Sequence, residues 1–420
     1  MTWAQTRLKD LCVDAGQYGL NISADSYVET GTRLIRTSDI EQDGSLRSAG
    51  VYVNLPLEPR HTLQYGDLLL SRSGTLGRSF LTPAAAERAT FAGYLVRFRP
   101  RQDVEPRFLA YAAASLPFQD AVRADAVTST IQNFNAERYA NIPLPSPSLG
   151  AQRRIADFLD AELGRLRKIS ERRTRQIKAL LERELAAIAA ALSGSDNATA
   201  ERRDTGWSWL PSIPADWATG PVYAYFDVLL GKMLNPERAA GRHPRPYLRN
   251  ANVHWYQVNV DDLAEMSFEP EERPRYLVRK GDLLVCEGGA GVAEAAVWDG
   301  SVEECYYQKS LHRVRPRQHV PVEWLMYWLR LAKEVGVFAS GGNLATIPHL
   351  TGEQLREHRI PIPPDGSWRV ARLTEEVQSV HRLVASLRSG NSLLLERQQA
   401  LITAAVTGQI DVTTARGVAV

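Results

Sequence analysis

The sequence has few cysteines, no long apolar run and almost no net charge. Its three cysteines, Cys12, Cys286 and Cys305, lie far apart and form no CxxC pair, which argues against a disulfide framework and against a zinc site. No uninterrupted apolar stretch approaches the roughly 18–20 residues that a membrane span needs. The opening residues, MTWAQTRLKDL, lack the pattern of a signal peptide. These absences favour a cytoplasmic protein that does not contact a membrane.

A strong positive charge is also missing. Residues 1–148 carry 15 basic and 15 acidic side chains, residues 206–363 carry 17 and 19, and residues 364–420 carry 6 and 5. The basic excess lies in residues 149–205, which carry 12 and 9. A protein that holds DNA alone usually shows a clear basic surface, because phosphate contacts dominate the affinity. If this chain reads DNA, partners would help to hold it there.

Motifs of the common catalytic centres are absent. The sequence contains no GxxxxGK[ST] loop, no HExxH, no GxSxG and no Asn/Asp-Pro-Pro-aromatic motif. The glycine-rich run from Gly288 to Gly291 follows a short strand without a helix start, so we interpret it as a tight turn and not as a phosphate cradle. We therefore expect no catalytic residue in this chain, and neither a cofactor nor a metal ion bound by it.

What the sequence does contain is an internal repeat. Seven anchors recur in the same order at offsets of 214 to 218 residues. They include Gly66-Asp67-Leu68-Leu69 with Gly281-Asp282-Leu283-Leu284, Arg97-Phe98-Arg99-Pro100 with Arg313-Val314-Arg315-Pro316, and Ile142-Pro143-Leu144-Pro145 with Ile360-Pro361-Ile362-Pro363. The period is far longer than that of a solenoid, which indicates a duplicated domain together with its following helix.

Each copy combines short strand patterns with a helix. Gly, Pro and Asp bound the strand patterns, which span residues 33–40, 67–71 and 94–99 in the first copy and 247–253, 282–286 and 311–315 in the second. Helices are predicted over residues 106–116 and 321–335. Each copy then closes with a proline-rich strand, where proline excludes a central position in a sheet.

A long helix follows each copy. The first is predicted over residues 151–192. The second has an apolar seam in which spacings of 3 and 4 alternate, as in a coiled coil. The seam comprises Val370, Leu373, Val377, Val380, Val384, Leu387, Asn391, Leu394, Gln398, Leu401 and Ala405. Asn391 and Gln398 are either buried polar residues that fix the register or exposed interruptions.

The repeat predicts an α+β chain with two tandem globular domains related by pseudo-two-fold symmetry. Two long helices that form an antiparallel coiled coil would separate the domains. We expect domain 1 over residues 1–148, the first helix and linker over 149–205, domain 2 over 206–363, and the second helix and tail over 364–420.

In this arrangement the chain resembles the specificity subunits of type I restriction–modification systems. The residues that carry the resemblance are Gly66 to Ser71 with Gly74 and Gly77, Gly281 to Cys286 with Gly288, Gly289 and Gly291, the exits IPLPSPSLGAQRRIADFLD and IPIPPDGSWRVARL, the stretch WLPSIPADW, and the terminal ALITAAVTGQIDV. The second exit lacks the glutamine of the first. The second turn has Cys286-Glu287 and Ala293 where the first has Ser71-Arg72 and Arg78.

The resemblance implies a non-catalytic DNA-binding subunit. Each domain would be a target-recognition domain that reads half of a bipartite double-stranded DNA site. The helices would set the spacer and dock two adenine-N6 methyltransferase subunits, and two ATP-dependent restriction subunits would complete the enzyme. S-adenosylmethionine, ATP and Mg²⁺ would belong to those partners.

Candidate DNA-binding residues are polar or basic side chains on loops, the groups that contact base edges and phosphates. They are Arg36, Thr37, Arg72, Thr75, Arg78, Thr130, Asn133, Lys232, Arg245, Asn250, Asn252, Lys309, Asn343 and Thr346. For each of them a solvated surface role is the alternative. Two alternatives also stand for the whole chain. One is an enzyme with an unrecognised site, and the other is a non-catalytic protein-interaction scaffold with duplicated binding domains, which the near-neutral charge of the domains leaves open.

Overall fold

The computed structural model describes residues 3–41, 44–86, 88–127, 134–233, 241–338 and 349–412. Two units divide the chain: unit 1 comprises Met1–Thr174 and Leu387–Val420, and unit 2 comprises Arg175–Ser386. Within the described ranges, no helix is both long and apolar enough to cross a membrane.

Unit 1 begins with short strands and continues into helices. Its elements are β1 (Gln5–Arg7), β2 (Gln17–Tyr18), β3 (Thr32–Ile35), β4 (Val51–Val53), β5 (Leu68–Ser71), β6 (Ser79–Leu81), β7 (Thr90–Phe91), β8 (Leu95–Phe98), α1 (Pro106–Ala114), α2 (Leu116–Val127), α3 (Ala136–Ala140), β9 (Pro143–Pro145) and the start of α4 (Leu149–Ser193).

Unit 2 continues α4 and repeats this order. Its elements are β10 (Arg202–Trp207), β11 (Leu210–Pro214), β12 (Ala218–Pro221), α5 (Val222–Tyr225), β13 (Phe226–Leu230), β14 (Pro244–Leu248), β15 (Val253–His254), β16 (Gln257–Val258), β17 (Ala264–Ser267), α6 (Arg273–Tyr276), β18 (Leu283–Cys286), β19 (Ala295–Val297), β20 (Tyr306–Tyr307), β21 (Leu311–Pro316), α7 (Val322–Glu334), α8 (Gly352–Glu357), β22 (Arg359–Ile362) and the start of α9 (Gly366–Thr407). The end of α9 belongs to unit 1.

The sheets of the two units share one topology. Each unit has a four-stranded sheet, in the order β2-β8-β5-β6 in unit 1 and β13-β21-β18-β19 in unit 2. Each also has a three-stranded sheet, β4-β3-β7 or β17-β14-β20. A two-stranded sheet pairs an early strand with the proline-rich strand that closes each copy, β1-β9 or β12-β22. The strand β5, which is buried along its whole length, and its counterpart β18 each lie inside a four-stranded sheet. The repeat read from the sequence is therefore a structural repeat.

The long helices pair antiparallel within each unit. In unit 1, Ile155 and Leu159 of α4 share a core with Ala405 and Val406 of α9. In unit 2, Ile188 and Leu192 of α4 share a core with residues 370, 373 and 377 of α9. The predicted seam of α9 is confirmed from Val370 to Val384, where all five seam residues are buried. Its later members are half-buried up to Leu401, and Ala405 is buried again.

Several element boundaries differ from the sequence prediction. The strand predicted over residues 33–40 ends at Ile35, and a 3₁₀ turn (Thr37–Asp39) follows it, because the Asp39 carboxylate accepts the Arg36 backbone N–H at 2.9 Å and closes the turn. The helix predicted over residues 106–116 is two helices with Ser115 between them. The hairpin formed by β10 and β11 was not predicted.

Candidate nucleic-acid interface

Three turns of unit 1 meet around Arg72, and we call them turn cluster 1: residues 36–40, 72–78 and 92–94. The Arg72 backbone N–H donates to Tyr94 O at 2.9 Å, and the Arg72 carbonyl accepts from the Phe134 N–H at 2.9 Å. Arg78 joins the first turn to the second, since its Nη1 donates to Ile40 O at 2.8 Å. Backbone bonds thus fix the loops that carry the candidate side chains.

The glycine-rich turn of cluster 1 is closed by hydrogen bonds. Ser71 N–H donates to Arg78 O at 2.9 Å. Gly77 has a φ of +73°, a conformation that favours glycine. The buried Tyr139 spans the turn: its hydroxyl donates to Ser71 O at 2.7 Å and accepts from Gly77 N–H at 2.9 Å. Side-chain and backbone hydrogen bonds therefore close this turn together.

The candidate side chains of cluster 1 differ in how they are held. Arg36 forms a forked pair with Asp39, with Nε–Oδ2 at 3.1 Å and Nη2–Oδ1 at 2.8 Å, and the hydrogen bond to Asp39 raises the pKa of Arg36. Thr75 is exposed, and its hydroxyl accepts from Arg78 Nη2 at 3.4 Å. The Thr37 hydroxyl oxygen is buried, and no described group forms a hydrogen bond with it.

Unit 2 has the same frame, by which we mean the set of backbone hydrogen bonds that joins the turns, but different residues form it. We call these turns turn cluster 2: residues 249–253, 287–294 and 308–310. Glu287 N–H donates to Ser310 O at 2.9 Å, and Glu287 O accepts from Leu350 N–H at 2.6 Å. Cys286 N–H donates to Glu294 O at 2.8 Å. Each of these bonds has its counterpart in cluster 1, so Glu287 is the structural equivalent of Arg72.

This frame corrects one match made from the sequence. The match of Ala293 with Arg78 is wrong, because the second turn is one residue longer. Glu294 takes the place of Arg78 as acceptor of the bond that closes the turn, and Ala293, with a φ of +63°, donates to Cys286 O as Gly77 donates to Ser71 O. The basic pair of cluster 1, Arg72 and Arg78, is therefore replaced by an acidic pair in cluster 2, Glu287 and Glu294.

Two candidates in unit 2 lie in the interior. Lys232 is 2% exposed, its ammonium donates to Ser267 O at 2.8 Å, and it forms an ion pair with Glu272. Asn252 is 3% exposed, and its amide nitrogen donates to Asn259 O at 3.0 Å. In this conformation both side chains hold the fold together and do not face solvent.

The other unit 2 candidates are nearer to the surface. Arg245 is paired with Glu304, with Nε–Oε2 at 2.9 Å. Lys309 is exposed. Asn250 lies against the second turn, where its Nδ2 donates to Gly288 O at 2.8 Å. Its Oδ1 is buried and accepts no hydrogen bond from the described residues, like the hydroxyl oxygen of Thr37 at the equivalent position. Thr130, Asn133, Asn343 and Thr346 lie outside the described residues.

The groups most relevant to catalysis are the possible metal ligands and the cysteine thiols. No group of three His, Cys, Asp or Glu residues among them is placed to hold a metal ion. Burial raises the pKa of the Cys12, Cys286 and Cys305 thiols to about 12, which keeps them protonated and poorly nucleophilic at neutral pH. Burial also raises the pKa of Glu287, against the opposing charges of His349 and Lys309.

Comparison with known proteins gives a family match for the first part of the chain. Residues 1–179 match the family model described as "Type I restriction modification DNA specificity domain". The type I restriction enzyme StySPI specificity subunit of Salmonella potsdam is 25% identical over 186 residues, which are 43% of this chain and 39% of that protein.

Solved structures match the fold over nearly the whole chain. A chain from a structure on complex assembly and conformational transition of the type I R-M system has a TM-score of 0.71 at 19% identity and covers 97% of this chain and 98% of its own. The HsdS subunit from Thermoanaerobacter tengcongensis has a TM-score of 0.50 at 19% identity, with 97% of both chains covered. The predicted fold class is confirmed. The first 179 residues of this chain are thus similar to the type I restriction–modification DNA specificity domain, and the chain as a whole shares the fold of the solved structures.

Proposed function

We propose that the chain is the non-catalytic DNA-reading subunit of a cytoplasmic type I complex and that it recognises a bipartite double-stranded site. The observation that carries this proposal is the repeated frame around Arg72 and Glu287, which presents two equivalent turn clusters with different side chains. Two copies of one scaffold with unlike loops are what the reading of two unlike half-sites requires. Residues 1–148 and 206–363 would be the two recognition domains, and residues 149–205 and 364–420 the spacer helices, linker and tail.

Direct contacts with DNA fall on the candidates near the surface. Arg36, Arg72, Thr75 and Arg78 in unit 1, with Arg245, Asn250 and Lys309 in unit 2, carry donor and acceptor types that match base edges and phosphates. Thr37, which lies between Arg36 and the buried Asp39, and the interior residues Lys232 and Asn252 would support these loops. Thr130, Asn133, Asn343 and Thr346 belong to the same proposal.

The long helices would dock two adenine methyltransferase subunits, and ATP-dependent restriction subunits would join them. Exposed apolar side chains on these helices support docking: Ile169 (40% exposed), Leu393 (61%) and Leu395 (66%) in unit 1, and Leu383 (52%) in unit 2. Apolar groups of this size on a helix surface favour burial against a partner. Leu393→Ser combined with Leu395→Ser should weaken co-purification of the methyltransferase, whereas the exposed neighbour variant Glu396→Ser should not.

The function is tested by sequencing N6-methyladenine in genomic DNA with and without this gene, while its methyltransferase partner is present. A bipartite motif that loses methylation in the deletion supports the proposal. Unchanged methylation, together with no specific duplex binding by the purified complex, would contradict it. That result would favour the protein-interaction scaffold, which the near-neutral charge of the two domain segments keeps as the second candidate.

A further inference from the structure

The charge at one equivalent position is opposite in the two units. Arg72 and Glu287 occupy the same place by three criteria. Each follows the buried strand of the four-stranded sheet. Each N–H donates to the residue just before the neighbouring strand of that sheet, β8 or β21, and each carbonyl accepts the N–H of a buried apolar residue. One unit therefore presents a hydrogen-bond donor where the other presents an acceptor.

The Arg72 guanidinium is held by an aromatic face. It lies 4.6 Å from the centroid of the Tyr18 ring, and its Nη1 is 3.4 Å from Gly93 O. Stacking on an aromatic ring restricts the side chain and lowers the entropy that it would lose on binding. An arginine guanidinium presents its donors as a planar fork, and this fork suits two neighbouring acceptors.

The Glu287 carboxylate differs from the Arg72 guanidinium because it accepts hydrogen bonds and does not donate them. It is half-buried, and within the described ranges no hydrogen bond or ion pair to it is seen. The nearby charges of Lys309 and His349 act on it only through space. A half-buried carboxylate without donors is costly, and beside DNA phosphates it would repel the ligand. A donor on the ligand would remove both penalties.

We infer that Arg72 and Glu287 are equivalent specificity-determining residues that read base pairs of opposite hydrogen-bond polarity. Arg72 donates to the O6 and N7 acceptors of a guanine in one half-site, and Glu287 accepts from the N4 amino group of a cytosine in the other. The inference rests on the proposed function, because it needs a bipartite DNA site. Arg72 could also bind a DNA phosphate, whereas Glu287 could not, because a carboxylate and a phosphate repel each other.

The test uses the full chain in complex with its methyltransferase partner and duplexes that contain the methylated motif. 7-Deazaguanine, which lacks N7, replaces each guanine in turn, and pyrimidin-2-one, which lacks the N4 amino group, replaces each cytosine. With the wild-type complex, one substitution of each kind, in different half-sites, should weaken binding about tenfold or more. Arg72→Gln should remove the loss at the guanine, and Glu287→Ala the loss at the cytosine.

Conservative variants separate base reading from folding. Arg72→Lys keeps the charge but not the fork and should lose most of the guanine discrimination. Glu287→Gln keeps one acceptor oxygen and should lose discrimination partly. Arg60→Gln and Glu303→Gln are the controls, because both side chains are exposed and neither belongs to a turn cluster. All variants are first compared with the wild type by thermal melting.

The outcomes are distinct. Losses that the variants do not change, or two variants that act on the same half-site, would overturn the inference while leaving the bipartite site intact. A wild-type complex that binds no specific duplex would instead overturn the proposed function. If Arg72→Gln removes the effect of the guanine substitution in one half-site and Glu287→Ala removes the effect of the cytosine substitution in the other, the inference and the proposed function are both supported.

Discussion

Arg99 and Asp67 form a two-pronged ion pair in unit 1, with Nε–Oδ1 at 2.7 Å and Nη2–Oδ2 at 2.8 Å. The Asp67 carboxylate also accepts the Gln64 N–H at 2.8 Å. Arg315 and Asp282 repeat the pair in unit 2, at 2.5 Å and 2.8 Å. The doubled Gly-Asp motif is therefore a structural device, in which the aspartate closes a turn and fixes it to the neighbouring strand.

Asp67→Ala should lower the free energy of unfolding by about 3 kcal/mol, because the side chain is buried and the change leaves Arg99 and the turn without their partner. Urea denaturation measures the loss, and a double-mutant cycle with Arg99→Ala isolates the pair. Asp103→Ala is the matched control, since its pair with Arg101 is exposed and should contribute far less. Equal losses in the two variants would contradict the assignment.

Tyr139→Phe should loosen the glycine-rich turn of cluster 1. The change removes a buried hydroxyl that forms hydrogen bonds with both Ser71 O and Gly77 N–H. The direct bond from Gly77 N–H to Ser71 O at 3.2 Å remains, so we expect a loss of about 1 kcal/mol. Hydrogen exchange of the peptide over residues 71–80 should become faster. Tyr65→Phe, at an exposed position, should leave exchange unchanged. Unaltered protection in Tyr139→Phe would show that the backbone bonds alone hold the turn.

Glu184→Gln should change how the stability of unit 2 depends on pH. Burial alone would raise the pKa of Glu184, but hydrogen bonds with His381 and Tyr256 and the charge of Arg330 outweigh it and lower the pKa. A lowered pKa in the folded state stabilises the protein above the ordinary glutamate pKa of 4.5, and this contribution is lost as the pH falls through the folded value.

The wild type should therefore melt at a higher temperature than Glu184→Gln between about pH 6 and 8, where Glu184 is ionised. The difference in melting temperature should shrink below about pH 4.5. Melting curves across this range measure it. Glu182→Gln is the control, because Glu182 is exposed and its ion pair with the exposed Lys178, at 3.7 Å, is long. A difference in melting temperature that stays constant down to about pH 3, which is below the ordinary carboxyl range, would argue against the titration of Glu184 as its cause.

Asn391→Leu should stabilise the helix pair of unit 1 by about 1 kcal/mol. Asn391 lies in the seam of α9, and its Oδ1 is buried without a hydrogen bond from the described residues. The melting temperature measures the gain. Ser392→Leu, at an exposed neighbouring position, provides the control. A loss of stability in Asn391→Leu would indicate that the polar side chain is bonded in solution and fixes the register.

The sequence alone determined the repeat, the long helices and the seam, because these are local or periodic properties. Heptad spacing from Val370 to Val384 predicts which side chains are buried whatever the partner helix is. The pairing of Arg97 to Pro100 with Arg313 to Pro316 likewise predicted two copies of one fold, since similar sequences form similar strands.

Only the tertiary structure decided which candidate side chains reach the surface. Lys232 is a loop residue by sequence, yet its ammonium is enclosed by Ser267 and Glu272, which are 35 and 40 residues away along the chain. The equivalence of Arg78 with Glu294 also needed the structure, because an extra residue in the second turn shifts the alignment and only the backbone hydrogen bonds fix it. Long-range contacts of this kind depend on chain packing, which no local pattern encodes.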